Sequence, residues 1–522
     1  MKIIVDPPTP WAEKTRRPPR ELAGIRCRTL AGRLIVDGHP FLVAAAVVIS
    51  RFNAVPSAPS AIWRPLLVTL AATAILLLTA RVLTRDRFLA ALVTSVLLLF
   101  SFRETLPAVA LLAALIWAGL MRLIGNRIAR PTSSSRVQGI ARVTAIMSAA
   151  TVLVTTATVA VQFASGPHVL APSFPVSGTG GPNVYILMLD GYPRTDTLAT
   201  TFEFDNGAFL SELESRGFDV AEAARSNYGK TWVTLGTMFN GTYVDDLLAG
   251  QNPPPGGSGQ IRWLGEIIGR SAMLDPFRTR GYRIATIPSS FTSAALTTAD
   301  DTYDSGAISE LEANILNRSP WSLVLRDPVA TMLARAHADA VRATFRLTAE
   351  IAESRTTEPM LVFAHVLSPH TPFVVHEQES TPTLPACFPS SCSVWSATMD
   401  ELGYEFDQYR DGFLDEVVAV NALVLDTADR VIAADSNAVV IVMSDHGSRY
   451  TLDDDAEHFR SFFAARVPGS GTLFPDDESP VNVLRRLAAQ LFDIDTEALP
   501  FEAWLSEWCC PLTISPYDPF GD

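Results

Sequence analysis

Cysteine and histidine are scarce in this sequence, with 5 and 8 in 522 residues. Cys27 stands alone near the N-terminus. Cys387, Cys392, Cys509 and Cys510 lack the spacing of a zinc knuckle. Four cysteines allow three disulfide connectivities, and Cys387 and Cys392 are near enough in sequence to close a small loop. Residues 1–30 contain no apolar h-region, so no cleavable signal peptide is expected. Basic charge is also scarce after residue 163: residues 1–163 hold 19 Lys or Arg against 6 Asp or Glu, and the rest holds 22 against 49. A nucleic-acid partner needs a basic face, which the acidic bulk of the chain does not offer.

The basic front end is explained by membrane topology. Apolar runs at 64–83, 105–124 and 141–163 are long enough to cross a hydrocarbon core of about 30 Å, and 39–55 and 87–102 are shorter candidates. Together they predict a transmembrane helical bundle of about five spans over 39–163. Lys14, Arg16, Arg17, Arg20, Arg26, Arg28 and Arg33 place the segment 1–38 in the cytoplasm, because cytoplasmic loops carry excess Lys and Arg. Arg81, Arg85 and Arg87 mark a second inner loop, and Arg122, Arg127, Arg130, Arg136 and Arg142 a third. An odd number of crossings then delivers everything after 163 to the outer face, where disulfides persist. The strong spans hold almost no ionisable residues, which argues against a transport pathway.

Residues 164–182, rich in Gly, Pro and Ser and without a period, read as a linker. Beyond it, short apolar strands are expected at 183–189, 282–287, 360–366, 437–443 and 461–467. Helical spacing is found at 205–217, 260–280, 328–353 and 411–434. Continuous apolar strands separated by helices predict an α/β domain over 183–495, its mostly parallel sheet covered by helices on both faces. Residues 496–522 show no period and are left as a C-terminal tail.

In such sheets ligands bind beyond the carboxyl ends of the strands. Three strands run into residues suited to metal-assisted chemistry: Asp190 in LMLDGY, His365 and His370 in FAHVLSPHTPF, and Asp445 with His446 in SDHG. A nucleophile is offered by SNYGKTWVTL, in which Thr231 opens a helix. A hydroxyl there faces unpaired N–H groups and the positive end of the dipole, which favour an alkoxide and hold an anion. The alternative role for Thr231 is a plain helix N-cap.

These segments, in this order, resemble the alkaline phosphatase and sulfatase superfamily. The resemblance is to its membrane-anchored bacterial branch of lipoteichoic acid synthases and phosphoethanolamine transferases. It implies an alkaline phosphatase-like fold in which Asp190, Thr231, Asp445 and His446 bind one divalent ion, Mn or Zn, a second ion being possible but unsupported. It also implies that His365 and His370 face the substrate or leaving group, that His458 is a third such histidine, and that Asn227 and Lys230 hold nonbridging oxygens. The sequence departs from sulfatases. Thr231-Trp232-Val233-Thr234-Leu235 has no C-x-P-x-R or S-x-P-x-R, and Gly191 stands where sulfatases carry a second Asp.

The expected chemistry is attack of Thr231 on a phosphodiester, with a phosphothreonine intermediate passed on. Tethering at the outer leaflet favours a phospholipid donor and an envelope glycan or lipid acceptor. The group moved would be a phospho-alcohol of the phosphoglycerol or phosphoethanolamine type. Two alternatives stand beside it: a phosphodiesterase or phosphatase of the same fold, and an inactive member that binds the envelope.

Overall fold

Six consecutive apolar residues, Val184–Leu189, make a strand only where both of its faces are covered. In the computed structural model this strand, β1, is the centre of a seven-stranded sheet, and its side chains divide between two cores. Val184, Ile186 and Met188 join one, and Tyr185, Leu187 and Leu189 join the other. Residues described are 38–101, 135–164, 178–319, 325–354, 358–376, 384–385, 387–388, 398–450, 455–469, 472–494, 496–507 and 510–521.

The remaining strands are β2 (Asp219–Val220), β3 (Arg283–Ile287), β4 (Asp301–Thr302), β5 (Met360–Val366), β6 (Val439–Ser444) and β7 (Phe463–Arg466), in the order β2-β7-β6-β1-β5-β3-β4. From β6 to β4 every pairing is parallel, while β7 and β2 add an antiparallel edge. Helices Thr231–Asn240, Gly257–Arg270 and Pro480–Phe492 contribute to one core, and Gly207–Ser215, Arg326–Glu353 and Phe406–Ala434 to the other. All five expected strands and three of the four expected helical stretches are present with shifted ends; the stretch 260–280 is broken at Ser271 (φ 46°) into Gly257–Arg270 and Asp275–Thr279. Residues 496–522, which show no sequence period, hold a hairpin of β8 (Ala503–Ser506) and β9 (Ile514–Tyr517).

Of the about five expected spans, two are long enough to cross a membrane among the described residues. Helices occupy 38–54, Trp63–Thr84, Arg87–Ser101 and Ser135–Ala164. Two stretches, Pro59–Thr84 and Val143–Ala160, are long and apolar enough to cross a membrane. Arg87–Ser101 has 15 residues, a rise of about 22 Å, and falls short of the hydrocarbon thickness; the 38–54 helix is little longer. The expected run 105–124 lies outside the described residues. Leu67, Ile75, Leu78, Val82 and Leu153 are exposed, an apolar surface that a core helix of a soluble domain would bury.

The front end is joined to the sheet domain by specific contacts. The buried Arg262 donates to Phe52 O at 2.8 Å. Ala58 N donates to Thr292 Oγ1 at 3.3 Å, Arg64 pairs with Glu312, and Val48, Phe52 and Val55 pack on Leu311 and Ile315.

Candidate metal centre and nucleophile

Register brings the three strand ends together. Leu189 is level with Val366 of β5 on one side and Ser444 of β6 on the other, so Asp190 and Asp445 emerge as neighbours at the same edge. Asp190 N donates to Val366 O at 2.9 Å. The chain turns at once at Gly191, whose φ of 74° suits glycine. The Gly191 N–H donates to Asp445 Oδ1 at 3.0 Å. Gly447 closes the SDHG segment for a different reason: a Cβ there would meet Glu457 O at 2.1 Å and Arg460 O at 2.6 Å.

Thr231 is the first residue of its helix, and the capping position belongs to Lys230, which supplies no side-chain cap. Val233 N and Thr234 N donate to Lys230 O at 3.1 and 3.0 Å, so the first turn closes on the Lys230 carbonyl and not on a side chain. The loop before the helix is pinned to the strand ends: Ser226 Oγ donates to Asp445 O at 2.6 Å and Ser226 N to Phe459 O at 2.8 Å. Thr231 Oγ1 then lies 3.4 Å from Asp190 Oδ2 and also beside the Asp445 carboxylate.

One oxygen or nitrogen from each of Asp190, Asp445 and His446 lies within 4.8 Å of the others. His446 Nε2 is 3.3 Å from Asp445 Oδ2 and 3.6 Å from Asp190 Oδ1. His446 Nδ1 donates to Gly447 O at 2.7 Å, which leaves the Nε2 lone pair facing the carboxylates. His365 Nε2 is 3.3 Å from Asp190 Oδ2 without the alignment of a hydrogen bond, while its Nδ1 meets Ser289 Oγ at 3.0 Å. Asp190 Oδ1, Asp445 Oδ2, His365 Nε2 and His446 Nε2 are all buried with no hydrogen-bond partner. Buried polar atoms are normally paired, so four orphans in one cluster fit a bound cation. Two carboxylates, an imidazole and a hydroxyl suit a divalent ion such as Mn or Zn.

Electrostatics agree with this geometry. Burial, and then the adjacent Asp190 charge, push the Asp445 carboxyl above its ordinary range. Burial opposes ionisation of Asp190 too, but the surrounding His370, His365 and His446 hold it below the usual carboxylate range. Burial and the Arg449 guanidinium drive His446 well below the ordinary imidazole range. The same two influences lower His370 against the pull of Asp190. A cation placed between these groups would favour both carboxylates in their ionised form.

The other expected site residues divide. His370 is buried, with Nδ1 against Thr371 O at 2.9 Å and its ring edge-on to Phe291. His458 packs against Gly229, where a Cβ would come within 3.2 Å of the His458 Cβ. Lys230 is buried beside the nucleophile. Asn227 does not hold a nonbridging oxygen: its Nδ2 donates to Glu502 O at 2.9 Å and its Oδ1 accepts from Val481 N at 3.2 Å. Both ends of the amide anchor the hairpin and a neighbouring helix. Cys387 is disulfide-bonded, and Cys510 is free.

Sequence reasoning missed Arg449, which is 7% exposed and donates to Gly229 O at 3.3 Å, two residues from the nucleophile. The signal for it was an arginine three positions after His446 in a segment already suspected. Also missed was Glu416, which accepts from Ser368 Oγ at 2.5 Å, Val374 N at 2.7 Å and Val375 N at 3.2 Å. It thereby holds both ends of the turn that carries His370.

No protein-family model and no curated protein matches the sequence. Among solved structures, the chain is similar to an alkaline phosphatase superfamily protein from Vibrio parahaemolyticus, at 11% identity over 67% of this chain and 82% of that one, TM-score 0.42. It is similar to the C-terminal periplasmic domain of phosphoethanolamine transferase EptC from Campylobacter jejuni, at 11% over 62% and 92%, TM-score 0.37. A third likeness is to the lipoteichoic acid synthase LtaP from Listeria monocytogenes, at 13% over 60% and 75%, TM-score 0.35.

Proposed function

We propose that this chain is a membrane-anchored, metal-dependent phosphotransferase of the alkaline phosphatase and sulfatase superfamily. It moves a phospho-alcohol head group from a phospholipid donor to an envelope glycan or lipid acceptor. The observation that carries this reading is the set of four partnerless buried polar atoms around the hydroxyl of Thr231. A purely structural cluster of that kind would cost several kcal/mol in unpaired buried groups.

Asp190, Thr231, Asp445 and His446 would hold one divalent ion, Mn or Zn. When bound, it supplies positive charge that lowers the pKa of the hydroxyl and offsets the charge developing on phosphorus-bound oxygens. Thr231 Oγ1, its proton passing to water, attacks phosphorus while the bond to the departing lipid alcohol oxygen breaks, leaving the phospho-alcohol esterified to Thr231. His365, whose Nε2 lies 3.3 Å from the Asp190 oxygen that Thr231 also faces, is the better placed histidine to protonate the leaving oxygen. Arg449, Lys230 and His458 line the approach to Thr231 and would hold or orient the nonbridging oxygens. An acceptor hydroxyl then displaces Thr231 from phosphorus by the reverse of these steps.

The anchoring spans, with the N-terminus cytoplasmic and the sheet domain outside, belong to the same proposal. They are supported by the two long apolar helices and the basic charge before residue 163. Purified full-length protein, supplied with head-group-labelled phospholipid and then quenched in acid, should carry label on Thr231, and Thr231→Ala should carry none. Unchanged turnover in Thr231→Ala would overturn the scheme. Label released only as free head group, in the presence of acceptor, would make the protein a hydrolase.

A further inference from the structure

A chamber borders His365, and the chemistry above uses none of its other lining residues. Helix Arg326–Glu353 forms one wall with His337, Ala340, Val341 and Thr344, the spacing that places four side chains on one helical face. The loop after β3 forms the other wall with Ser289 and Ser290, and His365 is shared with the metal centre. The chamber measures about 40 Å³, room for about three water-sized groups. Ser289, Ser290, Ser305 and Ala307 also border an outer cleft of about 260 Å³ that reaches Ser60, Ala61 and Arg64 of the N-terminal helices.

Besides His365 Nε2, two buried polar atoms on this lining lack a hydrogen-bond partner: His337 Nε2 and Ser290 Oγ. These residues are 9% and 6% exposed. His337 donates its other ring N–H to the Leu367 carbonyl, and burial followed by His370 pushes its pKa down to about 4. The ring is therefore neutral at pH 7, and Nε2 presents a lone pair that asks for a donor. Apart from His365 and the Asn317 amide, the remaining wall is apolar or hydroxylic, and no Asp, Glu, Lys or Arg lines it among the described residues. The outer cleft does hold carboxylates, Glu312 paired with Arg64 and Asp304 accepting from the Gly306 N–H, but neither lines the chamber.

We infer that this chamber is a head-group subsite that accepts the uncharged, hydroxyl-bearing end of the donor's alcohol and excludes an ammonium. The inference rests on the phosphodiester chemistry proposed for the adjoining centre and sharpens it. A hydroxyl donates to His337 Nε2 and pairs with Ser290 Oγ, so all three groups are satisfied. An ammonium entering the same space would lose its hydration and find no carboxylate among the described residues, a penalty that an uncharged alcohol does not meet.

The test uses the full-length protein loaded with Mn or Zn and two chromogenic diesters, the p-nitrophenyl esters of phosphoglycerol and phosphoethanolamine. The glycerol ester should be preferred by at least about tenfold in kcat/KM. His337→Leu should bring the ratio near one by removing the acceptor, and His337→Asp should shift it toward the ethanolamine ester. Ser290→Ala provides an independent substitution on the opposite wall and should lower the ratio in the same direction. Equal use of both esters by the wild type, or a ratio unmoved by His337→Leu and Ser290→Ala in folded protein, would overturn the subsite and leave the metal centre standing. No turnover of either ester would remove the metal-centre chemistry and the subsite with it.

Discussion

Two groups of buried carboxylates stand within the same domain and are treated differently. Asp190 and Asp445, at the ends of β1 and β6, keep oxygens that no donor satisfies. Glu416, equally buried on helix Phe406–Ala434, is saturated by a hydroxyl and two backbone N–H groups. Glu310 is similar, accepting from Thr292 N and Ser293 N. Burial alone therefore does not mark function in this protein. The mark is burial without partners, because satisfied acids hold the scaffold and unsatisfied ones wait for a ligand.

The contrast breaks most visibly at the unsatisfied group. Thr231→Ala should reduce phosphodiester turnover by about a thousandfold or more while leaving the fold intact, measured as kcat together with a melting curve. If both activity and metal content survived, the cluster would be no reaction centre. Metal dependence is the companion test. Mn or Zn at about a hundred times its dissociation constant should stabilise the wild type by about 2.7 kcal/mol, and a chelator should reverse this. Asp445→Asn should lose most of that gain, since the amide cannot replace an anionic ligand.

The satisfied acid should fail in the opposite way. Glu416→Ala strands the Val374 and Val375 N–H groups in the core and should cost about 2–4 kcal/mol whether or not metal is present. Denaturant unfolding with and without the ion distinguishes the two classes: Asp445→Asn changes the metal increment, Glu416→Ala the baseline. A metal-dependent loss at Glu416 would erase the distinction.

Much of the sheet and the cluster was legible because each rested on a short-range signal. Continuous apolar runs gave β1, β5 and β6, and the strand ends gave Asp190, His365 and Asp445. Residues set by contacts distant in sequence were not legible. Asn227 follows its neighbours into the suspected segment, yet its amide is used by Glu502 and Val481, more than 250 positions away. His337 reads as a lone histidine on an apolar helix face until Ser290 and His365 are brought opposite it. Among the described residues only two of the expected spans are long enough to cross, because apolar composition registers short helices as readily as long ones and length separates Arg87–Ser101 from Trp63–Thr84.

The finest test of the comparison is a pH profile. Burial raises the Glu416 carboxyl from 4.5 to about 8, against the opposing hydrogen bonds of Ser368, Val375 and Val374. An acid whose folded pKa is raised binds more protons in the native than in the unfolded state between those values. Its contribution to stability is thus fully present below about pH 4.5 and is lost as the pH rises through about 8, with a slope of at most about 1.4 kcal/mol per pH unit. Glu416→Gln removes the titration while keeping a side-chain oxygen for the backbone N–H groups, so it should flatten the melting temperature across that interval. The measurement is best made without metal and again with it, because the Glu416 slope should be the same in both. A slope that vanished on metal binding would tie this glutamate to the reaction centre and dissolve the line drawn between the two kinds of buried acid.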